Sequence, residues 1–198
     1  MRTGLTTNLK RVSLKVERHI DMHTWLVFDT ETTGLTLPSS APLDQQPQII
    51  ELALAVVKKN KITDRHTWLI DPGKPLTNEI TKITGLKDAD LAGRPTFAGI
   101  LPELTKVCLG AWGIVAHNLP FDMDMLVNEL RRCDKEYAFP YPPKQLCTVQ
   151  AFYYLKGRRM KLTELYEHVL GKPLAQTHRA MDDVDALTEI VLKEGILE

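Results

Sequence analysis

The chain has 198 residues, 43% of them hydrophobic, and its 25 basic and 25 acidic side chains give a formal net charge of +0. This length suits one globular domain, and the balanced charge excludes a global positive field, so any contact with nucleic acid must be local. The three scattered cysteines argue against zinc or a disulfide framework, and no apolar run is long enough to span a membrane, so we expect a soluble, cytoplasmic protein without a membrane partner.

Residues 1–23 differ from the rest in composition, and we treat them as a basic N-terminal extension to a domain at residues 24–198. The first twenty residues contain a single acid, Glu17. Their apolar spacing fits both a helix and a strand, so periodicity leaves the secondary structure open. The composition also permits a transit-like leader, although a surface arm or an extra strand is the preferred interpretation.

Three strands are predicted in the first half of the domain. The first covers the buried run at 24–29, and the second covers the apolar run at 49–57. A loop with three prolines, residues 36–48, separates them and should lie on the surface. The KKNK sequence at 58–61 predicts a hairpin turn into a third strand at 62–70.

Helices dominate the second half and enclose one more strand, at 112–117. Cap residues, glycine stops and apolar stripes predict helices, caps included, at 77–85, 96–110, 121–132, 147–155, 161–171 and 179–195. This order indicates a mixed α/β domain with a covered sheet. Ligands of such sheets collect at the ends of strands.

Two acids close the first strand. In VFDTETTGL, residues 27–35, strand alternation points Asp29 and Glu31 to the same face. Adjacent carboxylates at the edge of a core repel one another and need a cation, a shared proton or a basic partner. A hard cation such as Mg²⁺ meets this need because it takes oxygen ligands. An exposed DxE in a loop is the alternative interpretation of this motif alone.

A second cluster lies where the next buried strand runs into a helix. The segment AHNLPFDMDML, residues 116–126, opens this helix with Asp122 and Asp124. Acids at a helix N-terminus favour the helix dipole, so capping alone can explain one of them. Capping does not explain His117 and Asn118, which are polar residues at the strand end.

A third cluster lies at the start of the last helix. The segment THRAMDDVDAL, residues 177–187, carries Asp182, Asp183 and Asp185 in its first two turns. These acids also suit the helix dipole. His178, just ahead of them, adds a side chain of the type that exchanges protons near neutral pH.

Together, FDTETTGL, HNLPFD and HRAMDD resemble the three exonuclease motifs of the DEDDh (DnaQ-like) family, whose members include the proofreading subunit of bacterial replicative DNA polymerase. All three motifs occur in order, and the resemblance spans about Trp25 to Leu192. Residues 24–198 are therefore expected to form a DEDDh exonuclease domain. The resemblance implies an α/β fold similar to ribonuclease H, with a mixed five-stranded sheet flanked by helices.

The resemblance also implies a catalytic set, which falls on Asp29, Glu31, Asp122, His178 and Asp183. Asp124 and Asp182 are close alternatives, and the spacings HNxxFD and HxAxxD favour Asp122 and Asp183. The family's substrate contacts fall on Thr32, Thr33, Gly34, Leu35, Asn118 and Phe121. Leu35 and Phe121 are expected against the terminal bases, or alternatively in the core.

The implied chemistry is hydrolysis of phosphodiester bonds from a 3′ end with two ions, Mg²⁺ or Mn²⁺, releasing nucleoside 5′-monophosphates. Asp29 would bridge both ions. Glu31 and Asp183 would hold the ion that carries the attacking water, and Asp122 would act on the other ion through its waters. His178 would take the proton of the water. Phosphates of the substrate would meet local cations such as Arg158, Arg159 and Lys161.

Two features depart from the family's proofreading members. Thr84 stands where many of them have a histidine, and the chain ends fifteen residues after Asp183, without their long polymerase-binding tail. We therefore expect a free-standing enzyme, or one that meets a polymerase or another replication or repair partner through a different surface.

Three functions are compatible with these motifs. A 3′-5′ exonuclease on single-stranded DNA ends is favoured, because the first motif is DTETTGL rather than the DLEMTGL typical of oligoribonucleases. A 3′-5′ exoribonuclease that trims RNA ends would use the same residues. A non-catalytic module that binds a polymerase or nucleic acid would show a vacant catalytic position, and none is vacant in this sequence.

Overall fold

The computed structural model describes residues 20–175 and 177–197, and most of the basic extension lies outside this range. The interpretations given for residues 1–19 therefore stay predictions. Strand β1 (Asp21–Thr32) begins ahead of the boundary drawn after residue 23. No helix within the described ranges is long and apolar enough to cross a membrane.

A mixed sheet of five strands forms the centre of the molecule, in the order β3-β2-β1-β4-β5. The other strands are β2 (Ile49–Lys58), β3 (Lys61–Leu69), β4 (Ala111–Ala116) and β5 (Lys144–Cys147). β1 pairs antiparallel with β2 and parallel with β4, and β5 is parallel to β4. β1 and β4 therefore end at the same edge of the sheet, where the first two acidic motifs follow.

The predicted hairpin between the second and third strands is confirmed. β2 and β3 pair antiparallel and are joined by Lys59 and Asn60, which both have positive φ angles. A two-residue turn with this backbone matches the twist of the flanking strands, and asparagine adopts it more readily than most residues.

Seven α-helices flank the sheet in the described part of the chain. They are α1 (Asn78–Thr84), α2 (Asp88–Leu91), α3 (Phe97–Leu109), α4 (Leu119–Arg132), α5 (Thr148–Ala151), α6 (Leu162–Leu170) and α7 (Ala180–Glu194). The helix predicted at 147–155 is wrong in part, because α5 is followed by a separate 3₁₀ turn at Tyr153–Leu155. Phe152, which ends α5, is buried, whereas Tyr153 and Tyr154 are exposed.

Two apolar cores cover the two faces of the sheet, as the alternation of side chains along a strand requires. Leu26 and Phe28 of β1 face the core formed with α3 and α4. Trp25 and Val27 face the opposite core, formed with α6 and α7. Asp29 continues the second series, so it lies on the side of the sheet that α7 covers.

Candidate active site

Asp29 and Glu31 lie at the carboxyl end of β1 and share the face of the sheet toward α7. Both side chains are partly buried. The pairing with β2 shifts register between Glu31 and Thr32, as it does at a β-bulge. Bulges bend a strand and redirect its side chains, and they are frequent next to active sites.

Helix α4 brings Asp122 to the same strand end. The helix begins after Asn118, whose left-handed backbone (φ 73°) turns the chain out of β4, and Pro120 occupies its first turn. Asp122 is buried, and the Oγ1 of Thr30 donates a 2.8 Å hydrogen bond to its Oδ1. Asp124 is exposed. The phase of the helix thus favours Asp122 over Asp124 as a member of the site.

Helix α7 contributes Asp183, which is buried at its first turn. The neighbouring Asp182 is exposed, and its carboxylate accepts a hydrogen bond from the Oγ1 of Thr177. His178 precedes the helix, with an exposed side chain and a positive φ of 53°. This backbone conformation is uncommon for a residue other than glycine, and such residues cluster at functional sites.

Glu31, His178 and Asp183 form a group that can hold a metal ion. Each offers one ligand atom, and these atoms lie within 4.8 Å of one another. Asp29 and Asp122 add two carboxylates whose charges act on each other. A donor set dominated by carboxylate oxygens suits Mg²⁺ or Mn²⁺. The residues therefore fit the divalent ions that the family resemblance implies.

Burial and mutual repulsion raise the pKa values of these acids. The pKa of Asp29 is raised well above its usual value, first by burial and then by the charges of Asp122 and Asp183. Burial, followed by the charge of Asp183, raises the pKa of Glu31 to about 8. Burial raises the pKa of Asp122 to about 7, although the hydrogen bond from Thr30 opposes this shift. A divalent cation relieves the repulsion in such a cluster.

The sequence analysis missed Glu51, which lies on β2 directly opposite Glu31. Arg179 donates to both of its carboxylate oxygens, at 2.9 Å and 2.8 Å, and the backbone N–H of Ala180 donates to Oε2 at 3.3 Å. These bonds fix the start of α7 on the sheet, next to His178. An acid inside the apolar run IIELALAVV was the available signal.

The four first-motif residues predicted to contact substrate lie together at the end of β1 and just after it. The Oγ1 of Thr32 donates to the carbonyl of Gly34 at 2.7 Å, and the Oγ1 of Thr33 accepts from the backbone N–H of Gln48 at 2.9 Å. Leu35 is 80% exposed, so it is not a core residue. This exposure leaves its side chain available for contact with a base.

The second-motif residues and the nearby cations occupy different environments. Phe121 is partly buried and packs against the core on the α4 side. The Oδ1 of Asn118 accepts a hydrogen bond from Arg159. Arg158 instead forms a 2.6 Å ion pair with Glu164. Of the two arginines, only Arg159 is thus tied to a motif residue.

Residues 26–191 match the family model described as Exonuclease (RNase_T). The chain belongs to this exonuclease family. The family that the three motifs predicted is thereby confirmed, and the match covers all five residues of the predicted catalytic set.

The exonuclease domain is similar to parts of curated DNA polymerase III proteins. The PolC-type polymerase of Clostridium perfringens is 29% identical over 167 residues, which are 84% of this chain and 11% of that protein. The PolC-type polymerase of Bacillus subtilis is 31% identical over 89% of this chain and 12% of that protein. The DNA polymerase III subunit epsilon of Treponema pallidum is 28% identical over 82% of this chain and 72% of that protein. The chain thus spans about a tenth of the PolC-type relatives.

Solved exonuclease structures share the fold. The nuclease domain of 3′hExo, a DEDDh family member bound to rAMP, has a TM-score of 0.71 at 15% identity, covering 88% of this chain and 92% of that one. A 3′-exonuclease in a structure of histone mRNA stem-loop recognition has a TM-score of 0.70 at 16% identity, covering 90% of this chain and 66% of that one. The ribonuclease H-like α/β fold with a five-stranded sheet is confirmed.

Proposed function

We propose that this exonuclease-family chain removes nucleotides from single-stranded DNA 3′ ends by metal-dependent hydrolysis and releases nucleoside 5′-monophosphates. The observation that supports the proposal is the convergence of acids from β1, α4 and α7 at one strand end, beside His178. The relatives are named as DNA polymerase III proteins, which favours DNA and a proofreading or repair role beside a polymerase in the cytoplasm.

The carboxylates are proposed as the ligands of two ions, Mg²⁺ or Mn²⁺. When bound, such ions activate water and neutralise charge on the phosphate in an in-line displacement. Glu31 and Asp183 are proposed to share one ion, and the proximity of their oxygens supports this assignment. Asp29, whose charge interacts with those of Asp122 and Asp183, would hold an ion together with them, as the family resemblance implies.

His178 is proposed as the general base. Its ring lies within reach of Glu31 and Asp183, and its exposed position gives it access to solvent. It can therefore accept the proton of the attacking water and return it to bulk solvent after each cycle.

The terminal nucleotide is proposed to lie between the first and second motifs. Leu35 offers an exposed apolar side chain, and Phe121 offers the accessible part of a ring anchored in the core. Thr32, Thr33 and Gly34 form the turn that would line the sugar and phosphate of this nucleotide.

A 3′-5′ exoribonuclease is the second candidate. The solved structures with the same fold are described with rAMP and with a histone mRNA stem-loop. At 15–16% identity these structures support the fold only, so the DNA polymerase relatives carry more weight.

The test uses the full chain with a 5′-labelled single-stranded DNA and its RNA counterpart, in Mg²⁺, in Mn²⁺ and in EDTA. We expect stepwise shortening of the DNA from the 3′ end, dependent on metal and abolished by Asp29→Asn. Faster shortening of the RNA would establish the second candidate instead. No shortening of either strand by the wild-type chain would reject hydrolysis and leave the binding module.

A further inference from the structure

A pocket of about 540 Å³ adjoins the second motif, on the side away from β1. Cys147 and Val149 contribute to its apolar lining, and Asn118, Tyr153 and Arg159 contribute polar and aromatic groups. This volume lies within the range of pockets that hold small organic ligands. Its lining combines an aromatic ring and a cation, which are the groups that bind single-stranded nucleic acid, with the amide of Asn118.

His117, a motif residue that the proposed reaction does not use, connects two segments next to the pocket. Its Nδ1 lies 3.0 Å from the Oγ1 of Thr148, and its Nε2 lies 3.0 Å from the carbonyl oxygen of Met160. The carbonyl can only accept, so Nε2 donates to it, and in the neutral ring Nδ1 is an acceptor that faces the hydroxyl of Thr148, which also lies 3.4 Å from the carbonyl oxygen of Ala116. Burial lowers the pKa of His117, which favours this neutral form. His117 thereby fastens the segment that precedes α6 to the end of β4.

Two adjacent arginines in this segment, Arg158 and Arg159, have different bonding partners. Arg158 bonds to both carboxylate oxygens of Glu164, so its charge is matched within the protein. Arg159 donates to the amide oxygen of Asn118, which is a neutral partner. The charge of Arg159 therefore remains available to a phosphate at the pocket.

Tyr153 supplies the second recognition element. Its side chain is 50% exposed although it follows the buried Phe152. A phenol ring held at the wall of a pocket stacks with any base, because every base has an aromatic face. Stacking of this kind gives affinity without sequence preference.

The position of the pocket relative to the acids indicates which nucleotide of the strand it would bind. Asn118 caps α4, and Asp122 lies one turn further along the same helix. If the acids hold the scissile phosphate and Leu35 and Phe121 contact the terminal base, a site beyond Asn118 meets the strand on the leaving-group side. We propose that this pocket binds a nucleotide upstream of the scissile phosphate, with its base on Tyr153 and its phosphate on Arg159. The inference rests on the proposed exonuclease function.

The test compares two substrates that differ in the upstream strand. A single-stranded oligonucleotide carries upstream nucleotides, whereas the p-nitrophenyl ester of thymidine 5′-monophosphate presents only a terminal nucleotide. We expect Arg159→Gln and Tyr153→Ala each to lower kcat/KM on the oligonucleotide about tenfold, mainly through KM, with a clearly smaller loss on the ester. Arg159→Gln should also reduce the slope of log KM against log salt concentration by about one, which corresponds to the loss of one phosphate contact.

Arg131→Gln is the matched control, because it removes an arginine in the last turn of α4 whose charge is already paired with Glu136. It should lower kcat/KM on the oligonucleotide less than about twofold. Equal losses for Arg159→Gln on both substrates, or equal losses for both arginine variants on the oligonucleotide, would overturn the inference while leaving the exonuclease proposal intact. A wild-type chain that hydrolyses neither substrate would reject both proposals together. Thermal midpoints confirm that each variant is folded.

Discussion

The carboxylate of Glu51 on β2 and the guanidinium of Arg179 ahead of α7 form a two-point ion pair between residues 128 positions apart. Glu51 is 1% exposed and Arg179 is 42% exposed in their side chains. Such a fork holds two backbone segments in one relative geometry. The approach of α7 to the acids of β1 therefore depends on a pair outside the predicted catalytic set.

Arg179→Gln should lower the free energy of unfolding by about 2 kcal/mol, because the buried Glu51 carboxylate loses its charged partner. It should also lower kcat at least about tenfold, since Arg179 directly follows the proposed base, His178, and fixes the start of α7 on the sheet. Urea unfolding in EDTA and steady-state kinetics measure the two effects.

Arg65→Gln is the control, because the Arg65–Asp185 pair also reaches α7 but is 47% and 42% exposed in its two side chains. Its loss should cost less than about 1 kcal/mol. Equal destabilisation by the two variants would contradict the structural role assigned to Arg179.

Local rules of chain geometry account for what the sequence predicted. Strand alternation places Asp29 and Glu31 on one face independently of the rest of the fold. The order and spacing of the three motifs are sufficient to recognise the family. Strand β5 escaped notice because its four residues are too short to show alternation. Glu51 escaped notice because its partner comes from a distant part of the chain, and a pattern along the sequence does not show that pairing.

The spacing of the family motifs favoured Asp122 and Asp183 over their neighbours, but a physical reason for that choice needed the fold. A helix dipole favours acid at any position of a first turn, so Asp182 and Asp183 are equivalent by that rule. The packing of α7 on the sheet buries Asp183 and leaves Asp182 exposed, where it binds Thr177. Burial is a property of the assembled domain rather than of the segment.

The acid cluster should make the metal-free protein less stable as pH rises. The folded-state pKa of Glu31 is raised from 4.5 to about 8 and that of Asp122 from 3.8 to about 7, so the folded chain holds protons that the unfolded chain has released. The contribution of these two groups to the free energy of unfolding is therefore fully present below about pH 4. It is lost as pH rises through their folded-state pKa values. In EDTA, the thermal midpoint should be roughly 5–10 °C lower at pH 8 than at pH 5.

Mn²⁺ should restore most of this loss at the higher pH, because it binds the ionised carboxylates. Glu31→Gln removes one of the repelling charges, so its midpoint in EDTA should vary less with pH than that of the wild type. A metal-free midpoint that rises between these pH values would show that the cluster is not strained.

Substitutions in two pairs of neighbouring aspartates test which member of each pair belongs to the active site. Asp122→Asn and Asp183→Asn should each lower kcat by at least about a hundredfold, because a buried carboxylate facing the other acids is lost. Asp124→Asn and Asp182→Asn remove exposed carboxylates and should each retain kcat within about threefold. The measurement is single-turnover hydrolysis of a labelled oligonucleotide in Mg²⁺. Loss of activity in Asp182→Asn with activity kept in Asp183→Asn would reverse the assignment of the third motif.

Substitutions at His178 can separate the chemical role of its side chain from the effect of its backbone conformation. Its φ of 53° lies in the left-handed region, which asparagine tolerates better than most residues other than glycine. His178→Asn should therefore keep the thermal midpoint within about 2 °C, while kcat falls by about a hundredfold or more for want of a base. His178→Ala should lose the same activity and, in addition, some stability, because alanine disfavours this backbone. If His178→Asn retains wild-type kcat across the pH range, the histidine is not the base, and the attacking water loses its proton by another route.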